Sequence, residues 1–330
     1  MRVLIIGEGS VSDIIRSFEA GQYFAAHDHD VRIQYLPGHG KVEIIPNVDV
    51  VFYSRPMIPS IVKSYQDIGV VVIGDQDDDF ASIPRSHVGY KAIGKGNPKR
   101  LGDHHEALSL CNALICTHQE LASRLSQYSS APITIIPNGW SGRLSNWTHN
   151  EFFPGIRIGW GGTITHRQDF LEAKSAIIDV LKEYPEAVVA IAGDPEIYKM
   201  LNEVPEGQKS FNPFMAYSTY IRWVCSCDIF LAPLVDDNFN RAKSDIKLVE
   251  ASAAGIPFIA SPLPQYKADE WQGCGLYASS HKEWRDHLSY LISCEEARAD
   301  LGSNGLISSA ARDFRILSNK WLDVLDKVMG

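Results

Sequence analysis

Short apolar runs rich in Val and Ile recur along the chain, each closed by Gly, Asp or Pro and followed by an amphipathic stretch. Runs that are apolar at consecutive rather than alternate positions suit strands covered on both faces, and the amphipathic stretches between them suit the covering helices. In the first half this pattern predicts strands at Val3–Ile6, Val31–Tyr35, Val50–Tyr53, Val70–Ile73, Ala113–Cys116 and Thr134–Ile136, with helices at Ser12–Ala26 and Gln119–Gln127. Residues 141–155 are polar with scattered aromatics and no period, and read as an interdomain linker.

The alternation then restarts. Strands are expected at Ile156–Trp160, Ala187–Ala192, Ile229–Ala232 and Phe258–Ala260, with a weaker one at Leu276–Tyr277. Helices are expected at Phe170–Tyr184, Tyr217–Val224, Asp245–Ala254 and Lys282–Ser293. Between Leu306 and Val328, the residues Phe314, Leu317, Trp321, Leu325 and Val328 fall three or four apart, as one face of a closing helix requires. The expected fold class is α/β, with two doubly wound Rossmann-like domains over residues 1–150 and 151–305 and a last helix at 306–330.

A chain of 330 residues exceeds what one core usually supports, which agrees with two domains. Its composition, 45% hydrophobic and 22% charged, is that of an ordinary globular protein, neither disordered nor membrane-spanning. A formal charge of −9 argues against a surface devoted to nucleic acid. The apolar run before Gly7 is shorter than a signal-peptide core, and the six cysteines show no C-x-x-C spacing, so reduced thiols, no metal site and a cytoplasmic location are expected.

In open parallel sheets, ligands bind beyond the carboxyl ends of the strands, so the loops there are informative. After the first strand, "GEGSVSD" offers Gly9 and a helix start with N–H groups that an anion could use. A dinucleotide fingerprint would need glycine where Ser12 stands and an acid after "IQYL", and has neither. After the third strand stands Arg55, and after the fourth Asp75, Asp77, Asp78 and Asp79 crowd together, as a solvated loop, a cation site or a site for hydroxyls. Residues 80–102 contain Arg85, Lys91, Lys95, Lys99 and Arg100 without an acid, a mobile basic loop that could receive an anionic acceptor or balance the aspartates. His104 and His105 are candidate bases by residue type.

In the second half the same rule selects "GWGGT", in which Gly161, Gly162 and Thr163 would form a loop cradling phosphate, and "AGD" with Gly193 and Asp194. It also selects "APL" with Pro233 and Leu234. Arg167 and Lys243 could neutralise a diphosphate.

Together "VIGDQDDDFASIP", "IIPNGW", "IGWGGTITHRQD", "VAIAGD" and "DIFLAPLVDDNFNRAKSDIKLVEASAAGIPFIAS" resemble the GT-B glycosyltransferases of the retaining, glycogen-synthase-like group, family 4. They are most similar to its bacterial and phage-like branch, with F-N-x-x-K-S-x-x-K-x-x-E before a small-residue run and G-x-P. The resemblance implies two facing domains with a cleft between them, and a last helix crossing back to the first domain. It further implies a nucleoside diphosphate sugar as co-substrate, with no separate cofactor. The acceptor would be a glycan, a lipid-linked glycan or modified DNA.

By resemblance Glu250 matches the second glutamate of the family's E-x7-E motif, which binds the ribose hydroxyls; the first is replaced by Ala242. Asn240 and Ser244 are the nearest further donor-side candidates, and Arg167, Lys243 and Asp78 the catalytic ones. Arg55, Asp77, Lys91 and His104 are expected on the acceptor side. The missing glutamate leaves a second expectation, a sugar-nucleotide-binding protein without turnover.

Overall fold

The computed structural model describes residues 1–36, 42–149 and 155–330. The chain forms two compact units. Unit 1 comprises Met1–Gly139, Ala242–Ser244 and Arg312–Gly330, and unit 2 comprises Trp140–Arg241 and Asp245–Ala311.

In unit 1, strands β1 (Arg2–Gly7), β2 (Asp30–Tyr35), β3 (Val50–Ser54), β4 (Val71–Gln76), β5 (Ala113–Cys116) and β6 (Ile133–Ile135) form a sheet in the order β2-β1-β3-β4-β5-β6. All its pairings are parallel. Side chains alternate across a strand, so β1 feeds two cores. Val3 and Ile5 join Phe24, Phe52 and Ile73 on one face, under residues 11–26 and the helix Phe314–Met329. Leu4 and Ile6 join Val51, Tyr53 and Leu114 on the other, under the helices Pro59–Gln66, Pro98–Leu110 and Gln119–Leu125.

Two of these helices escape the pattern reading. Pro59–Gln66 and Pro98–Leu110 each open with proline, whose missing N–H costs nothing at a first helical position. The second is also capped by Asn97, which accepts from the Arg100 amide at 3.2 Å. It begins inside the stretch expected to be a basic loop, and the rest of that stretch contains the 3-10 turns Phe80–Ser82 and Val88–Tyr90. The closing helix is likewise shorter than expected. Leu306 lies in the last turn of a separate helix, Glu295–Ser309, and Asp313 caps the new one by accepting from the Arg315 amide at 2.9 Å.

In unit 2, strands β7 (Ile156–Gly162), β8 (Ala187–Gly193), β9 (Lys209–Pro213), β10 (Ile229–Ala232), β11 (Phe258–Ala260) and β12 (Gly275–Tyr277) form a parallel sheet in the order β12-β11-β10-β7-β8-β9. The unexpected strand β9, "KSFNP", lies at the edge and is only half-buried, so it carries no apolar run to betray it. The core gathers Trp160, Phe170, Ile177, Leu231, Trp284 and Leu288. β7 runs on through Gly162, opposite Gly193, rather than ending in a loop. Gly193 has φ +114°, and a Cβ there would lie 2.0 Å from the Gly162 carbonyl oxygen, so only glycine closes this end of the ladder.

Residues 140–149 pack on unit 2 instead of hanging as a linker. Trp140 Nε1 donates to the Ser309 carbonyl at 2.7 Å, Trp147 Nε1 to that of Ser141 at 2.8 Å, and the two rings meet edge to face. Residues 150–154 of the expected linker lie outside the described residues. All six cysteines are free thiols, five of them buried. Among the described residues no helix is long and apolar enough to cross a membrane.

Candidate functional site

Each sheet reverses direction once: between β1 and β3 in unit 1, and between β7 and β10 in unit 2. At such a point the connections leave to opposite faces and a crevice opens beyond the strand ends.

In unit 2, β7 pairs with β10 at Ile158 and Gly159. Further along, the Gly161 carbonyl accepts from the ammonium of Lys247, which also lies 5.6 Å from the centre of the Trp160 ring. One turn on in the helix Ile246–Ala253 stands Glu250, only 4% exposed. Tyr217 and Tyr220, a turn apart on the helix Tyr217–Val224, donate to Oε1 and Oε2 of Glu250, each at 3.2 Å. Gly161 makes room for this, because a Cβ would meet the Tyr220 ring at 2.6 Å. Burial pushes the Glu250 carboxyl up to about 7, against the pull of Lys247 and the two hydroxyls. Burial and the Glu250 charge together raise both tyrosines well above 10, which keeps them donors. A carboxylate has about four lone-pair sites, so two remain for hydroxyls of a ligand.

Other donor-side candidates have structural duties. Gly162 is a strand residue, and Thr163 caps the turn after it, accepting from the Thr165 amide at 3.2 Å. Asp194 caps the helix Pro195–Lys199, and the Leu234 amide, next to buried Pro233, donates to Ser261 Oγ at 2.8 Å. Asn240 Nδ2 donates to buried Asp169 at 2.7 Å, and Asp169 also takes the Val235 amide at 2.9 Å and pairs with His166 at 2.8 Å. Arg167 opens the helix Arg167–Glu183 and is exposed, with no ion pair among the described residues.

Lys243 and Ser244 were expected beside the donor but belong to unit 1. The Lys243 ammonium stands 3.4 Å from Asp78, its carbonyl accepts from His118 Nε2 at 2.9 Å, and Ser244 Oγ accepts from Asn138 Nδ2 at 2.8 Å. Two of the catalytic candidates, Lys243 and Asp78, are thus brought together, while the cation beside Glu250 is Lys247. The signal for Lys247 was the K-x-x-E spacing, and for the tyrosines "YSTY" at helical spacing.

Ala242 is fully buried in the apolar cluster of unit 1 that contains Leu114, Cys116 and Leu121. Ala242→Glu, which restores the family's residue, is therefore expected to cost about 3 kcal/mol or more by burying an unpaired carboxylate, with no gain in donor affinity. Urea denaturation and nucleotide titration of the variant check this.

At the unit 1 reversal, the amides of Glu8 and Ser10 are not offered to an anion as expected. Both donate to Asp13, at 3.0 and 2.8 Å, and Asp13 also bonds the Ser54 hydroxyl and forms a capping box with Ser10. Gly9 between them has φ +78° and is exposed. Arg55 adopts φ +48°, donates to Ser10 Oγ at 2.7 Å and lies 3.5 Å from Glu8. Burial raises the Asp78 carboxyl, with Lys243 opposing and Asp77 assisting.

His104 is not on an accessible face. It is 2% exposed, donates from Nδ1 to the Pro56 carbonyl at 2.6 Å, packs on Phe80, and is pushed down to about 4 by burial, as a neutral strut. Lys91 is exposed, and Lys99 pairs with Asp103 at 2.7 Å. Among the described residues no cluster of three or more His, Cys, Asp or Glu could hold a metal.

Residues 167–316 match the family model described as glycosyl transferase-like. The chain superposes on sucrose-phosphate synthase from Thermosynechococcus elongatus with a TM-score of 0.72 at 12% identity, covering 99% of both chains. It matches HepE of Anabaena in complex with UDP-glucose with a TM-score of 0.69 at 14% identity, over 99% of this chain and 100% of the other. The pneumococcal O-GlcNAc transferase GtfA, in complex with UDP and GlcNAc, gives 0.61 at 14% identity, over 85% of this chain and 57% of that one. No curated protein sequence matches the chain significantly. The chain thus has the two-domain GT-B fold of these structures, and its residues 167–316 match a glycosyl transferase-like family model.

Proposed function

We propose that the chain transfers a sugar from a nucleoside diphosphate sugar, a uridine nucleotide first among them, to an acceptor hydroxyl, with retention of configuration and without a metal or other cofactor. The observation that carries this reading is the buried carboxylate of Glu250 beside Lys247 at the β7/β10 reversal, inside the glycosyl transferase-like domain. A carboxylate suits a pair of vicinal hydroxyls, as a ribose presents, and cations suit the diphosphate. The binding of UDP and a sugar by HepE and GtfA, which share the fold, supports the uridine donor.

In this reading Lys247 and Arg167 take up the charge that develops on the departing diphosphate, and retention rests on the family resemblance. The acceptor, a glycan or lipid-linked glycan, is taken by unit 1. A thermal-shift panel of UDP, GDP, ADP and CMP sugars tests the donor. UDP at 100 times its dissociation constant is expected to add about 2.7 kcal/mol of stability. No shift with any nucleotide would sink the reading, and binding without release of free UDP would leave a binding protein.

A further inference from the structure

Beyond the end of β7 a buried acid holds a histidine in a fixed position. Asp169, 4% exposed, accepts at Oδ1 from the Val235 amide at 2.9 Å and from Asn240 Nδ2 at 2.7 Å, and at Oδ2 from His166 Nδ1 at 2.8 Å. A carboxylate engaged by two N–H groups is an acceptor, so Nδ1 of His166 carries a proton and Nε2 is left as the working atom of the ring. An imidazole oriented in this way by a third group is the arrangement that sites of chemistry use. The His166 side chain is 18% exposed, whereas Asp169 is enclosed. Helix capping does not account for it, since His166 stands at the N-cap of the helix Arg167–Glu183 without a side-chain capping bond.

Gly162 sets the place of the ring. A Cβ there would lie 2.9 Å from the Trp160 ring and 3.4 Å from His166 Cδ2, the carbon bonded to Nε2. At the preceding residue, the Gly161 carbonyl accepts from the Lys247 ammonium, which lies 5.6 Å from the centre of the same Trp160 ring. Lys247 and His166 therefore approach one peptide, Gly161–Gly162, and Glu250 lies one turn beyond Lys247 on its helix. The two glycines do not form the expected phosphate-binding loop; they give this strand end room for Tyr220 and His166.

We infer that His166 binds the β-phosphate of the nucleotide, donating from Nε2, with Asp169 as its positioning residue. This rests on the donor reading above and adds a residue that the reading does not use. The succession Glu250, Lys247, His166 matches ribose, α-phosphate and β-phosphate. Held between Asp169 and a phosphate, the ring donates from both nitrogens and is a cation, and charge-assisted hydrogen bonds of this kind are the strong ones. Arg167, next in the chain, is exposed and must give up side-chain freedom to reach a ligand, whereas His166 is already oriented.

The test is calorimetric titration of the full chain with uridine, UMP and UDP. His166→Asn keeps an amide at the Nδ1 position for Asp169 and lacks the Nε2 end. It is expected to lose about tenfold to a hundredfold in UDP affinity, with UMP and uridine unchanged to within about twofold. His166→Gln, whose amide reaches the Nε2 position, should bind UDP better than His166→Asn although it gives up the bond to Asp169. A histidine with only a structural duty would give the reverse order in Tm and no difference between UDP and UMP. Equal losses of UDP and UMP, unchanged UDP affinity in His166→Asn, or Gln no better than Asn for UDP would each overturn the inference. A wild-type chain that binds none of the three ligands overturns the donor reading instead, so the two failures are distinguishable.

Discussion

Glu250→Gln is expected to abolish sugar-nucleotide binding while making the protein more heat-resistant above neutral pH. The two effects have one cause. In the folded chain the carboxyl titrates near 7, against 4.5 in an exposed chain, because burial penalises its charge. Its folded value is raised, so the stability it contributes is complete below pH 4.5 and is lost as pH rises through 7. Glutamine has the same shape and does not titrate. The difference in Tm, variant minus wild type, should therefore grow from pH 4.5 to 7 and flatten above it, with a free-energy amplitude on the order of 3 kcal/mol.

Donor affinity should run the other way. Only the ionised carboxylate offers all its lone pairs to a diol, so wild-type affinity for UDP-glucose should rise with pH up to about 7 and then level off. An amide would instead place an N–H against one incoming hydroxyl. Scanning fluorimetry and calorimetry of both proteins between pH 5 and 8 measure the pair. A variant that keeps its affinity, or a Tm difference that does not change with pH, would remove Glu250 from the site.

The second large effect is expected in unit 1. Arg16 and Asp75 are each 2% exposed and bonded at 2.7 Å, and Arg16 also donates to the Ile136 carbonyl and Asn138 Oδ1, at 2.9 and 2.8 Å. Its guanidinium lies 5.5 Å from the Trp321 ring. Arg16→Met would leave Asp75 charged and buried with only the Ser17 hydroxyl, 3.1 Å away, so a loss of about 3–5 kcal/mol is expected. Arg16→Met combined with Asp75→Leu should recover most of it, because two buried charges are then replaced by apolar groups. Urea denaturation of the three proteins decides, and a loss under about 1 kcal/mol for the single variant would contradict the assignment.

Most of the architecture was legible because its strands are buried on both faces and spell uninterrupted apolar runs. The exceptions have physical reasons. β9 lies at an edge and needs no such run, and the helices Pro59–Gln66 and Pro98–Leu110 were hidden by the prolines that start them. In the candidate site, Glu250 was legible through its motif. The environment was not, because Tyr217 and Tyr220 reach Glu250 from another helix and nothing local in "YSTY" names their partner. Lys243 lies 3.4 Å from Asp78, a neighbour that position along the motif does not name.

Residues 242–244 and 312–330 complete a unit whose other part ends at Gly139. During synthesis, the sheet face bearing Phe24 and Phe52 must wait for Phe314, Trp321 and Leu325, which leave the ribosome after unit 2. Unit 1 therefore cannot mature ahead of unit 2 in the usual order of emergence. A fragment cut at residue 139 should aggregate rather than fold, because it lacks the helix that covers this face.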